Sequence, residues 1–145
     1  TEHQVAKHPV WEKEIRAYYD NWTTMLKSDI PNNVAVLRKL ANTKYTLFGL
    51  TNWSAETFPY ALENYDFFKI FDGKIVVSGT EKLIKPDPTI WNILLERYQI
   101  KAEESVFIDD NAKNIEVAKT LGFKVVHIKE DTDLEKELKD LGVEF

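Results

Sequence analysis

The stretch "SVFIDDNAKN", residues 105–114, decides how this chain folds. Val106, Phe107 and Ile108 form an apolar run without alternation, as expected of a β-strand covered on both faces. The run stops at two adjacent carboxylates, Asp109 and Asp110, and Asn111 follows as a residue suited to cap a helix. One capping side chain is enough for a helix, and Asn111 supplies it. Two acids at the end of a buried strand therefore need a reason beyond local structure.

Working outward, the same unit recurs. "YTLFGLTN" (45–52), "KIVVSG" (74–79) and "KVVHI" (124–128) are further strand candidates, apolar and rich in β-branched or aromatic residues. Helical patterns alternate with them. "PTIWNILLERY" (88–98) has Asp87 as its cap and Pro88 in its first position, and "AKNIEVAKTLG" (112–122) is capped by Asn111 and stopped at Gly122. "SAETFPYALEN" (54–64) is helical with an interruption or restart at Pro59, and "DLEKELKDLG" (133–142) is the last helix. Val34, Leu37, Leu40 and Ala41 mark a helix after the loop "SDIPNN" (28–33), while "TEKLIKPDP" (80–88) reads as loop. Upstream, "PVWEKEIRAYYDNWTTML" (9–26) spaces Trp11, Ile15, Tyr18, Trp22 and Leu26 three or four apart, the stripe of an amphipathic helix that packs into a core. Strands alternating with helices predict an α/β fold, a Rossmann-like parallel sheet with helices on both faces.

Bulk properties narrow the function. With 145 residues, 43% apolar and 30% charged, the chain has the composition of one ordinary globular domain. Lys+Arg 19 against Asp+Glu 24 gives a net charge of -5, which offers no electrostatic footprint for nucleic acid or an anionic membrane. The absence of cysteine excludes disulfides and thiolate metal sites and suits a cytoplasmic location. No apolar run reaches the roughly 20 residues of a membrane span, and "TEHQVAKHPV" at the N-terminus lacks the apolar segment of a signal peptide and an initiator Met. His3, His8 and His127 have no ligand spacing, and His127 reads as a strand residue.

In a parallel sheet of this kind, ligands sit beyond the carboxyl ends of the strands. The first strand ends at Thr51 and Asn52, a hydroxyl and an amide ahead of a helix whose free N–H groups favour an anion. The loop after the second carries Lys85 between Ile84 and Pro86, and the third ends at Asp109 and Asp110. Taken singly, Thr51-Asn52 makes a helix-opening turn and Lys85 is a solvated lysine. Together the three resemble a phosphate site with a magnesium ion, hard carboxylate oxygens holding the metal while Thr and Lys hold the anion. Adjacent carboxylates repel unless a cation intervenes or one is protonated.

"LTNWS", "LIKPDP" and "VFIDDNAKN" resemble the second, third and fourth motifs of the haloacid dehalogenase-like (HAD) hydrolases, in the branch near 2-haloacid dehalogenases and small-molecule phosphatases. The resemblance implies a HAD-like α/β core over residues 31–145 and, over 1–30, the C-terminal part of a helical cap. It implies that Thr51 binds the transferring phosphoryl oxygen with Asn52 beside it, that Lys85 neutralises the nucleophile and the phosphoryl charge, that Asp110 ligates magnesium directly and Asp109 through a water, and that Asn114 orients the loop and borders the substrate. In the family a DxD motif on the central strand supplies the nucleophilic aspartate. No strand ending in DxD precedes Thr51, and the one DxD here, Asp131 to Asp133, falls before a helix as a cap. The expectation is therefore a C-terminal portion of a longer hydrolase whose first motif was cleaved off, truncated or lost from a shortened gene. Its sheet would lack the central strand, leaving edges open to the missing N-terminal segment or to a second copy.

The expected activity is magnesium-dependent hydrolysis of a small phosphorylated metabolite through an aspartyl-phosphate, in the complete protein rather than in this chain alone. Paired acids favour a phosphatase, since dehalogenases of the family usually carry small polar residues there; "TNW" is shared with the dehalogenase side. A 2-haloacid dehalogenase and a non-catalytic binding domain on the same fold stay open. A phosphoacceptor receiver domain uses similar groups but places its acids first in the chain. Trp53, Phe58 and Tyr60 shape the pocket mouth or pack beneath the cap.

Overall fold

The computed structural model describes residues 1–26 and 29–145; Ser28, in the expected loop 28–33, lies outside the described residues. The chain divides into two compact units, Thr1–Pro31 and Asn32–Phe145.

The first unit holds α1 (Glu2–Lys7) and α2 (Glu12–Asp20), with 3-10 turns at Pro9–Trp11 and Trp22–Met25. The helix expected over 9–26 is thus broken at both ends, and α1 forms where none is expected. Arg16 draws the two helices together, with Nη1 2.8 Å from Glu2 and Nε 2.8 Å from Glu12. Neither helix buries a residue. Trp11 is 60% and Tyr18 59% exposed, so the amphipathic stripe is not a core, contrary to expectation. The reason is size: a unit of this length has too much surface for its volume to enclose one.

The second unit alternates helix and strand, as its apolar runs predict. α3 (Pro31–Leu40) leads to β1 (Gly49–Thr51), α4 (Phe58–Asn64), β2 (Ile75–Val77), α5 (Ser78–Glu81), α6 (Thr89–Tyr98), β3 (Val106–Asp109), α7 (Ala112–Thr120), β4 (Lys124–His127) and α8 (Leu134–Asp140). Pro59 restarts a helix at its first turn, where the missing N–H costs nothing. Asn111 caps α7, accepting the Lys113 amide at 2.9 Å, and Asp133 caps α8 through the Lys136 amide at 3.0 Å, the local role expected of the DxD acids. Asp87 takes the Thr89 amide at 2.9 Å ahead of α6. Gly122, at φ 96, ends α7 in the left-handed region open to glycine.

β1 pairs parallel with β2 (Leu50 opposite Val76), and β3 pairs parallel with β4 (Asp109 opposite His127). These are two separate two-stranded ladders. Successive strand residues feed opposite faces: Phe107 joins a core with Trp91, Leu94, Ala118 and Phe123, while Val106 packs beside Val126, Leu134, Leu138, Val36 and Leu40. α6 and α7 thus cover one face and α3 and α8 the other, which is why the strands read as continuously apolar. α5 replaces what was expected as strand end and loop: Ser78 is 8% exposed and its hydroxyl is engaged by residue 53, so the chain turns at once.

Trp91 sits at the centre of this core, fully buried and 5.4 Å from the Phe107 ring, with no partner for its Nε1–H among the described residues. Trp91→Ala is expected to cost about 4 kcal/mol through the cavity it leaves. Trp91→Phe, which keeps an aromatic ring and removes an unpaired buried donor, is expected to cost under about 1.5 kcal/mol. Urea unfolding of both variants checks this.

Candidate functional site

Lys85 and Asp109 meet at the end of β3. Nζ of Lys85 lies 2.7 Å from Asp109 Oδ2, with side chains 9% and 8% exposed. The other oxygen, Oδ1, accepts the Asn111 amide at 2.8 Å and the Asn114 side-chain amide at 3.1 Å. Burial pushes the Asp109 carboxyl up, but the Lys85 hydrogen bond, the Asn111 amide, the Lys85 charge and the Asn114 amide together outweigh it, and the group titrates below the ordinary carboxylate range. Lys85 Nζ also lies 5.5 Å from the Phe107 ring centroid, so the cation rests against an aromatic ring.

The Lys85 loop is fastened to β1. Asn52 accepts the Lys85 amide at 2.8 Å and donates to the Lys85 carbonyl at 3.0 Å. Its side chain, expected next to the phosphoryl oxygen, is thereby spent on the backbone of another site residue. Thr51 ends β1, and its hydroxyl has no hydrogen bond among the described residues. The segment after it is gripped by α5: the Ser78 hydroxyl accepts the Trp53 amide at 2.9 Å and donates to its carbonyl at 3.1 Å, which also takes the Gly79 amide at 2.9 Å. A Cβ on Gly79 would lie 2.3 Å from the Ala55 nitrogen, so only glycine permits this approach. Asn52, Trp53, Ser78, Lys82 and Ile84 line a cavity of about 460 Å³ beside the strand ends. Trp53 and Phe58 stack edge to face at 5.7 Å, while Tyr60 is exposed.

Asp110 stands apart from this network. Its carboxylate is exposed and accepts no hydrogen bond among the described residues, while its backbone carbonyl faces His127 Nε2 at 3.0 Å. The cation that offsets the paired acids is thus the Lys85 ammonium, which engages only Asp109. Magnesium needs one or two carboxylates, filling its remaining positions with water and phosphate oxygens. The exposed Asp110 carboxylate could meet that requirement, while both oxygens of Asp109 are already engaged. Among the described residues no group of three or more His, Cys, Asp or Glu could hold a metal. Asp131 and Asp133 line a different cavity, beside Asn32 and Val36, and do not join the strand ends.

Two site neighbours were not among the expected residues, Ser78 and His127. Both stand at strand ends, of β2 and β4, and the rule that chemistry lies where strands stop would have found them had it been applied to all four strands.

Because the folded-state pKa of Asp109 is lowered, its contribution to stability is fully present above its unfolded pKa near 3.9 and is lost as pH falls through the folded value. The expected profile is flat through neutral pH and declines below about pH 4. Asp109→Asn leaves Lys85 without a counter-charge and is expected to cost about 3 kcal/mol at pH 7 and to flatten the acid limb. Gly79→Ala should cost about 2 kcal/mol through the clash with the segment after β1. Chemical denaturation at several pH values checks all three.

Comparison with known proteins places the chain in a family. The family model described as haloacid dehalogenase-like hydrolase matches residues 1–128. The chain is 28% identical over 128 residues to the sesquiterpene phosphatase astK of Aspergillus oryzae, covering 88% of this chain and 64% of that protein. It is 28% identical to (S)-2-haloacid dehalogenase 4A of Burkholderia cepacia, covering 70% of this chain and 43% of that one. A HAD family enzyme of Bacteroides thetaiotaomicron, solved with magnesium and inorganic phosphate, superposes with a TM-score of 0.63 at 27% identity, over 72% of this chain and 55% of that chain. The chain thus spans less than two thirds of the length of each. With the matched model covering most of its length and the neighbours sharing its fold, the chain belongs to the haloacid dehalogenase-like hydrolase family.

Proposed function

We propose that these residues serve a magnesium-dependent phosphatase that hydrolyses a small phosphorylated metabolite. The observation carrying this reading is the Lys85–Asp109 ion pair with an unengaged Asp110 beside it at the strand ends. The phosphatase among the relatives and the neighbour solved with magnesium and phosphate support it.

In this reading the Thr51 hydroxyl donates to a phosphoryl oxygen, and Lys85 neutralises the charge of the attacking carboxylate and of the phosphoryl group. Asn114 and Asn111 keep Asp109 oriented, so that it holds Lys85 in place and would help to hold a magnesium ion beside Asp110. Magnesium, held at Asp110, would offset the negative charge of the phosphoryl oxygens. The attacking carboxylate belongs to a segment outside residues 1–145, since the remaining DxD acids line a different cavity. A carboxylate oxygen bonds to phosphorus as the ester P–O bond breaks, and the leaving oxygen takes a proton. Water then cleaves the acyl phosphate, returning the carboxylate and inorganic phosphate. Residues 1–30 are the end of a cap that sets specificity, and residues 1–145 alone bind without turnover.

A dehalogenase would break a carbon–halogen bond by the same attack, and its support is the Burkholderia relative. The presence of Asp110 beside Asp109 favours the phosphatase, because attack on carbon has no use for a metal-holding carboxylate. The full-length protein is expected to release phosphate from 4-nitrophenyl phosphate only with magnesium, and Asp110→Asn to reduce the rate by at least about 100-fold. Metal-independent chloride release from 2-chloropropionate would replace this reading with the dehalogenase. Magnesium binding with neither activity would leave a binding domain.

A further inference from the structure

We propose that His127 is a positioning residue for the acidic turn, acting through a single peptide group. The inference rests on the magnesium reading of Asp110 above.

The peptide joining Asp110 to Asn111 is held at both ends. Its carbonyl faces His127 Nε2 at 3.0 Å, and its N–H donates to Asp109 Oδ1 at 2.8 Å. A carbonyl oxygen only accepts, so Nε2 carries the proton in this contact. A peptide group is planar, so fixing its C=O and N–H fixes its orientation as a unit. That orientation sets ψ of Asp110, and with it the direction in which the Asp110 carboxylate projects from the strand end. The same plane presents the amide that orients Asp109.

β4 is built to hold His127 there. Asp109 and His127 are register partners, and the Ile128 amide donates to the Asp109 carbonyl at 2.9 Å. Just beyond, the Thr132 hydroxyl accepts the Lys129 amide at 2.8 Å and lies 3.5 Å from the His127 carbonyl, closing the turn after the strand. The two successive carbonyls of Asp109 and Asp110 are therefore taken by one backbone donor and one side-chain donor of the same strand end. Beyond the ladder, the Asp110 carbonyl has no other partner among the described residues. Without the imidazole it would turn to water and the peptide plane would be free to rotate.

The isosteres make the test sharp. A glutamine amide nitrogen occupies about the place of Nε2, whereas an asparagine nitrogen matches Nδ1 and falls short of the carbonyl. In the full-length protein, magnesium affinity measured by calorimetry is expected to stay within about twofold in His127→Gln and to weaken about tenfold or more in His127→Asn and His127→Leu, the scale of losing a partner that orients a metal ligand. The metal-free melting temperatures should not follow that order. Hydrogen exchange of the Asn111 amide, measured without metal, should be faster in His127→Asn than in the wild type and His127→Gln. If His127→Leu fails to fold, the Asn and Gln pair decides. Equal magnesium affinity in wild type, Gln and Asn variants would overturn the positioning role while leaving the phosphatase reading intact. A wild type that binds no magnesium would overturn the metal reading, and Asn111 exchange would then decide separately whether His127 orders the turn.

Discussion

The contact on which the rest depends is the ion pair between Lys85 and Asp109. Burying two charges is costly, and attraction between them repays the cost only when geometry is good and the remaining polar atoms are matched. Here the second oxygen of Asp109 has two amide donors, the lysine backbone is held by Asn52, and the ammonium lies against the ring of Phe107. The pair therefore ties together three segments far apart in the chain: the end of β1, the loop before α6 and the end of β3. It also separates the roles of two neighbouring acids. Asp109 is fixed and compensated from within the protein, whereas the Asp110 carboxylate is exposed and accepts no hydrogen bond among the described residues.

Much of this was legible in the order of residues. The unalternating runs around Leu50, Val76, Phe107 and Val126 announced strands covered on both faces, and Asn111 and Asp133 announced helix starts, because strand burial and helix capping are decided by side chains a few positions apart. What was not legible depends on contacts between segments. Asn52 looked like a ligand for an anion because its partner, the backbone of residue 85, is brought to it only by the fold. Ser78 and Gly79 read as the tail of a strand and open a helical turn instead, since the close approach to Ala55 is invisible in sequence. The stripe from Trp11 to Leu26 has helical spacing, but spacing reports a face and not what covers it. His127 was read as one more strand residue because its role lies in a single bond to a carbonyl.

Taken together, the fasteners follow one plan. The ends of β1 and β3 are each held by the neighbouring strand's exit: β1 by Ser78 after β2, and β3 by His127 on β4. Groups that must keep their positions are thus supported by backbone already locked in a ladder, which limits the rotamers and peptide orientations open to them. The loop of Lys85 has no strand of its own and borrows rigidity from Asn52 and Asp109.

The division of the strands into two ladders has a geometric outcome. One edge of β1 and one of β3 pair with no strand among the described residues, and all existing pairings are parallel. Two copies of one edge paired about a twofold axis perpendicular to the sheet run in opposite directions, so a closed dimer of that kind through either edge would introduce a seam of contrary sense. A guest running with the prevailing direction avoids that seam but gives no symmetric closure. Direction of travel thus sorts self-association from insertion at these edges.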